Sequence, residues 1–303
     1  MSVVSIQQII KTYGRVTALD KISVEIHDGE VFGFIGPDGA GKTTLFRILT
    51  TLLKPDSGTA TVLGYNVVEE YRNIRPLLGY MPGRFSLYQD LSVRENMDFF
   101  AAVFGTTLEE NYDLVAPIYS QLKQFESRLA GDLSGGMKQK LALSCALIHK
   151  PKLLILDEPT TGVDAVSRQE FWEMLHQLRS QNITIIASTP YMDEAEQCDR
   201  VALIDQGKIL KTDTTEQVVK AFEKPLLAVK ADRRYKLLKS LRSYKFAHSV
   251  QPFGEYIHYT DQREHLRPKE LENYLSQAGF SDIQIKQVQP GIEDSFMALM
   301  QEK

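Results

Sequence analysis

Eight consecutive residues, Gly36-Pro37-Asp38-Gly39-Ala40-Gly41-Lys42-Thr43, have the types and spacing to hold a phosphate. They satisfy the pattern G-x-x-x-x-G-K-[ST]. Glycines let the main chain wrap closely around an anion and aim successive N–H groups at it. A helix N-terminus directly after the loop adds positive potential at the same point. In that setting Lys42 bridges the outer phosphates and the Thr43 hydroxyl ligates Mg²⁺. A second stretch is Leu153-Leu154-Ile155-Leu156-Asp157-Glu158. Four apolar residues running into two acids read as a buried parallel strand that ends at a site. There Asp157 can hold Mg²⁺ through water and Glu158 can polarise an attacking water. A third is Leu133-Ser134-Gly135-Gly136-Met137. Ser134 is a helix cap, and two glycines beyond what a cap needs clear the way for an anion to reach the helix N-terminus. Tyr13, beside Gly14, can stack on an adenine ring; a half-buried strand tyrosine is the plainer reading.

The elements that must position these groups follow from local pattern. Val31–Ile35 reads as a buried strand entering the phosphate loop, and Thr44–Leu49 as the helix leaving it. Residues 3–35 otherwise read as short strands with turns, Asp28-Gly29 among them. Ser92-Val93-Arg94-Glu95 is a capping box that opens a helix closed by Gly105, and Thr107-Leu108-Glu109-Glu110 is a second box. Residues 84–150 thus form a helical insertion between two strands of an α/β core. The helix begun at Ser134 runs to about Ile148 and stops before Pro151. A helix is expected over 166–179, with Trp172 and Met174 off its apolar stripe. A buried strand at Ile183–Ala187 turns into a helix after Ser188. From Lys224-Pro225 the register changes, and the order β-α-β-β-α-β-α is that of a ferredoxin-like arrangement. No catalytic constellation stands in this tail; His248, His258 and His265 read as surface or strand histidines without metal spacing.

Composition sets the limits. The 303 residues carry 35 Lys and Arg against 39 Asp and Glu, a net charge of -4, so no basic field argues for nucleic acid. Cys145 and Cys198 have neither metal nor disulfide spacing, which fits a reducing compartment. The apolar run 141–148 is too short for a bilayer, and residues 1–5 do not read as a signal peptide. The expectation is a soluble chain whose membrane contact comes through a partner.

Taken together, these stretches over residues 3–220 resemble the ATP-binding subunit of an ABC (ATP-binding cassette) transporter. Gly79-Tyr80-Met81-Pro82, Thr161-Gly162-Val163-Asp164 and Tyr191-Met192-Asp193-Glu194-Ala195 look most like its export-type, drug-resistance-like branch. The resemblance implies a P-loop α/β cassette over 1–222, with an antiparallel β subdomain and a helical subdomain at about 84–150, and a small α+β domain over 225–303. It implies ATP bound by Tyr13, by Gly36 through Thr43, by Thr44, and by Ser134, Gly135 and Gly136. It implies Mg²⁺ at Thr43 and Asp157, and Glu158 as the catalytic base. Two cassettes, homo- or heteromeric, would pack head to tail with ATP between them, on the cytoplasmic face of a membrane beneath a permease met near residues 83–95.

Two positions depart from the family pattern. Gly83 stands where a glutamine usually reaches Mg²⁺ and water, and Pro190 where a histidine contacts the γ-phosphate. A hydrolysis-impaired partner of a second, intact cassette is therefore the alternative function. A soluble ABC protein acting on DNA or ribosomes fits less well, since neither a coiled-coil insertion nor a second cassette is present.

Overall fold

Three strands, β3 (Val31–Ile35), β7 (Leu153–Asp157) and β8 (Thr184–Thr189), are buried at every position, as strands covered on both faces must be. In the computed structural model, which describes residues 2–301, they form the middle of a six-stranded sheet. Its order is β10-β9-β3-β8-β7-β6, with β6 at Leu78–Met81, β9 at Arg200–Asp205 and β10 at Lys208–Thr214. Every pairing is parallel except that of the edge strand β10 with β9. Because β8 lies between β3 and β7, the phosphate loop and the acid pair leave the sheet at the same end, one strand apart. Ligands of open α/β sheets bind at such ends.

A second sheet packs β2-β1-β4-β5, with β1 at Ser2–Tyr13, β2 at Val16–His27, β4 at Ser57–Val62 and β5 at Tyr65–Asn66. The expectation of short strands here is corrected to one hairpin of two 12-residue strands. Four register shifts between β1 and β2 break the period-2 pattern by which a long strand is read. Helix α1 (Lys42–Leu49) follows the phosphate loop and buries Leu45, Phe46, Ile48 and Leu49 into the core shared by the two sheets. A short helix α2 (Tyr71–Ile74) precedes β6.

Helices α3 (Val93–Val103), α4 (Tyr112–Tyr119) and α5 (Gly135–Leu147) lie between β6 and β7. Ser92 and Glu95 form the expected capping box. Thr107 and Glu110 exchange the same pair of hydrogen bonds, but close only a turn: α4 starts after Asn111, whose side chain instead reaches Ile148 O at 2.6 Å. Helix α6 (Ala165–Ser180) is capped by Asp164 and buries Trp172 and Met174 along with its apolar stripe. The helix expected after Ser188 is a 3₁₀ segment, Met192–Gln197, because β8 continues to Thr189 and Pro190 follows.

At the end of α5, the His149 ring stacks on Phe104 at 3.7 Å, with Nε2 3.1 Å from Leu78 O and Nδ1 without a partner among the described residues. Burial pushes this imidazole below its ordinary 6.5. The folded state therefore refuses a proton that the unfolded chain accepts, and its stability falls as pH drops below about 6.5. Replacing His149 with phenylalanine should flatten that slope in urea unfolding measured on both sides of this pH. Equal slopes in parent and variant would disprove the assignment.

The chain divides into two compact units, one running to Thr215 and the other starting at Glu216. Helix α7 (Thr215–Lys220) leads into the second. There β11 (Leu226–Lys230), β12 (Ala247–Phe253), β13 (Tyr256–Asp261) and β14 (Gln284–Val288) make an antiparallel sheet in the order β12-β13-β11-β14. Helices α8 (Arg234–Arg242) and α9 (Pro268–Gln277) bury Leu237, Leu241, Leu271 and Leu275 against Leu227, Val229, Ile257 and Tyr259 on one sheet face. Helix α10 (Ile292–Gln301) follows β14.

Candidate nucleotide site

The loop between β3 and α1 is shaped by close backbone approaches. A Cβ on Gly36 would lie 2.0 Å from Ile204 O, and one on Gly41 2.4 Å from Ala18 O. Gly41 also has φ 106°, a region that only glycine enters cheaply. Further hydrogen bonds fix the loop: Gly36 N–H donates to Thr189 O at 3.2 Å and Gly207 N–H to Ala40 O at 3.0 Å. The loop is thus held from β2, β8 and the β9–β10 turn at once.

Lys42 is buried, its side chain only 2% exposed. Its Nζ donates to Gly36 O at 2.8 Å and Pro37 O at 3.0 Å, and pairs with Glu158 Oε1 at 3.1 Å. Asp157, 1% exposed, ends β7, and its Oδ1 accepts the Ser188 hydroxyl at 2.8 Å. Ser188 Oγ in turn accepts Glu158 N–H at 3.0 Å. One serine on β8 therefore orients both acids. Sequence reading missed it; the signal was its register opposite Asp157 in the parallel pair. Glu158 itself sits at φ 50°, in the left-handed region.

Thr43, Asp157 and Glu158 line one cavity of about 540 Å³ together with Gly83, Tyr80, Arg47 and Arg84. The last three were also missed. Both guanidiniums are exposed, and among the described residues neither makes an ion pair with protein, so the acid end of the cavity has cations beside it. Burial, assisted by the Asp157 charge, pushes the Tyr80 phenol up to about 12, against an opposing pull from Arg47. Gly83 stands against the acids: a Cβ there would lie 3.0 Å from Asp157 O. Pro190 follows Thr189, whose carbonyl binds Gly36, and so adjoins the loop.

Ser134, Gly135 and Gly136 do not line this cavity. Ser134 Oγ accepts Met137 N–H at 3.4 Å and caps α5. A Cβ on Gly135 would meet nothing closer than Gly162 O at 3.5 Å, so packing within the chain does not require glycine there. Tyr13 is 47% exposed, at the tip of the hairpin whose Ala18 abuts Gly41, with Lys11 Nζ 5.9 Å from its ring centre.

The chain matches the family model described as ABC transporter over residues 19–161. It is 39% identical over 290 residues to the probable multidrug ABC transporter ATP-binding protein YbhF of Escherichia coli (strain K12), covering 93% of this chain and 49% of that protein. The chain thus spans about half the length of these first relatives. It is 33% identical over 301 residues to Nod factor export ATP-binding protein I of Sinorhizobium fredii, covering 98% of this chain and 85% of that one. Among solved structures, an ATP-binding subunit of an ABC transporter superposes with a TM-score of 0.66 at 25% identity, over 73% of this chain and 93% of that chain. A dimeric ATP-binding cassette bound to ADP and Pi has the same fold, with a TM-score of 0.63 at 23% identity over 70% and 98% of the two chains.

Proposed function

The chain belongs to the family of ABC transporter ATP-binding proteins, and on that premise we propose that it binds ATP with Mg²⁺ as the energy-coupling subunit of a membrane exporter. The observation that carries this reading is the convergence of Lys42, Thr43, Asp157 and Glu158 at one end of the central sheet. On nucleotide binding, Lys42 Nζ exchanges the carbonyls of Gly36 and Pro37 for phosphate oxygens, and the N–H groups of Gly39, Gly41, Lys42, Thr43 and Thr44 serve the anion, that of Ala40 being held by Pro37 O at 3.2 Å. The Thr43 hydroxyl and Asp157, whose Oδ2 has no partner among the described residues, fit an ion that keeps most of its ligands from water and phosphate. Mg²⁺ held there would neutralise charge on the phosphates. Glu158 accepts a proton from the attacking water. Tyr13 stacks on the base.

Export is supported by the relatives named for multidrug and Nod factor export. A second cassette is supported by the dimeric solved structure and by the exposed Ser134 and Gly135 at the start of α5, which suit a nucleotide held by a partner. Among the described residues no helix is long and apolar enough to cross a membrane, so attachment on the cytoplasmic face would come through a permease. The second unit, with its βαββαβα element order, supports a ferredoxin-like reading.

Gly83 and Pro190 favour a second reading, in which this chain's own site turns over slowly and its Ser134–Gly136 turn completes the site of an intact partner. Position 83 abuts Asp157 and position 190 adjoins the loop, yet neither residue offers a side-chain donor or acceptor.

Calorimetric titration with ATP tests the binding reading. Saturable binding strengthened by Mg²⁺ is expected, with the Mg²⁺ gain lost in Thr43→Val. Absence of saturation would overturn it.

A further inference from the structure

The chain as a whole is acidic, with a net charge of -4, yet one stretch of the second unit reverses that sign. From Arg233 to Gly254 the sequence carries Arg233, Arg234, Lys236, Lys239, Arg242 and Lys245 and not one acid. Helix α8 holds four of the six, and the turns at its two ends hold Arg233 and Lys245. All six residues are exposed.

The helix cannot turn these charges away. Leu237 and Leu241 are buried in the core of the unit. Ser240 O accepts the Tyr274 hydroxyl of α9 at 3.1 Å, which fixes the flank of α8 that meets this neighbour. At 3.6 residues per turn, Tyr235, Lys239 and Arg242 lie away from that flank, at the i, i+4, i+7 spacing of one stripe. Lys239 Nζ sits 4.6 Å from the centre of the Tyr235 ring, and Tyr235 is 71% exposed. Just past the helix, Lys245 Nζ lies 4.6 Å and the Arg263 guanidinium 3.7 Å from the centre of the Phe246 ring.

Elsewhere in this unit cations find carboxylates: Lys220 pairs with Glu216, Lys230 with Glu255, and Arg263 and Arg267 with Glu270. Arg233 pairs with Asp232. Arg234, Lys236, Lys239, Arg242 and Lys245 form no ion pair among the described residues. The elements packed against α8 do not supply one. Glu270 of α9 is shared by Arg263 and Arg267. Glu272 stands two residues from Tyr274, on the opposite flank of α9 from α8. Strand β12 has no acid. Ordinary surfaces intersperse both signs; here five like charges are held together on a fixed helix with nothing negative beside them.

We propose that this face of α8 is a contact surface for an anionic lipid bilayer. A plane of acidic headgroups meets the whole stripe at once. The Lys and Arg stems lie along the headgroup layer with their charges in it, and the exposed Tyr235 is the amphipathic ring that such an interface favours. The choice of a lipid surface over another polyanion rests on the exporter reading, which puts the chain beside a membrane; the charged face itself does not.

Co-sedimentation of the whole chain, without nucleotide, with vesicles of equal parts phosphatidylcholine and phosphatidylserine tests this. Binding is expected to these vesicles and none to phosphatidylcholine alone. Salt at about 1 M should abolish the binding seen at about 0.1 M, since the screening length falls from about 10 Å to about 3 Å. Each cation at such a surface contributes about fivefold in partitioning. Lys239→Gln, Arg242→Gln and Lys245→Gln together should therefore weaken binding about 100-fold. The same change at Lys220, Lys230 and Lys286, outside α8, should cost less than about tenfold, since the first two are already paired. Thermal unfolding reports that both triple variants are folded; if the α8 variant is not, Lys239→Gln alone should still cost about fivefold. No binding to the mixed vesicles, equal binding to phosphatidylcholine alone, binding that persists at high salt, equal losses in the two triple variants or no loss in Lys239→Gln would each overturn the proposal. A short DNA duplex bound more tightly than the mixed vesicles at the same salt would assign the face to nucleic acid and overturn it too. ATP titration of the same sample is a separate readout, so failure of vesicle binding and failure of the nucleotide reading are told apart.

Discussion

Replacing Lys42 with alanine is expected to weaken ATP binding about 100-fold or more, measured by titration calorimetry. Each charge-assisted hydrogen bond contributes about 1.5–3 kcal/mol. Loss of two such bonds to phosphate removes about 3 kcal/mol or more, which is about two decades in affinity. The buried position of Lys42 makes the loss hard to compensate, because water has little access to its site. Without nucleotide, the same ammonium neutralises Glu158 at 3.1 Å. The alanine variant therefore also leaves the carboxylate unpaired, so it loses a phosphate contact and gains a repulsive charge at the same place. Lys42→Arg should not rescue binding, since a planar guanidinium cannot occupy the space of a compact ammonium clasped by two carbonyls. Equal affinities of parent and alanine variant would remove the loop from the site.

The second large effect is on turnover. The purified parent is expected to hydrolyse ATP slowly, and Gly83→Gln combined with Pro190→His to raise steady-state kcat by about 10–100-fold. A positioned base contributes about 10²–10⁴-fold only when water and phosphate are held in line with it. Glu158 is present in the parent, while the two positions that could hold its reactants carry no functional side chain. The gain should fall short of the full range because a Cβ at position 83 lies 3.0 Å from Asp157 O, so the loop must yield by a few tenths of an ångström before glutamine fits. Relief of the proline also returns a backbone N–H at 190. Brisk turnover by the parent, unchanged in the double variant, would show that neighbouring groups already do this work.

The parts of the site readable in sequence are those whose geometry is local. The phosphate loop, the Leu153–Asp157 strand, the Ser92–Glu95 cap and the Ser134 cap each declare themselves within eight residues. Ser188 does not, because its meaning comes from lying beside Asp157 across a strand pair. Arg47, Tyr80 and Arg84 are likewise invisible until α1 and β6 meet around one cavity. The Thr107–Glu110 box shows the converse: its two hydrogen bonds form as read, yet the helix waits for Tyr112 because Asn111 is tied to Ile148 O. His258 was read only as a surface or strand histidine. It is on a strand, but its partner Asp294 is 36 residues away, beyond any spacing rule.

Glu158 enters the active end of the sheet through a backbone conformation, φ 50°, that L-residues other than asparagine and aspartate seldom adopt. Such a residue costs of order 1 kcal/mol relative to glycine. Glycine at 158 would relax that turn, but it would also leave the buried Lys42 ammonium without the carboxylate that sits 3.1 Å from it, and stranding a buried charge costs more than the turn regains. Glutamate is thus a residue whose strained backbone the fold accepts in return for a counter-charge. Screens that select this chain for robustness to heat, blind to ATP turnover, should therefore keep an acid at this turn rather than drift to glycine.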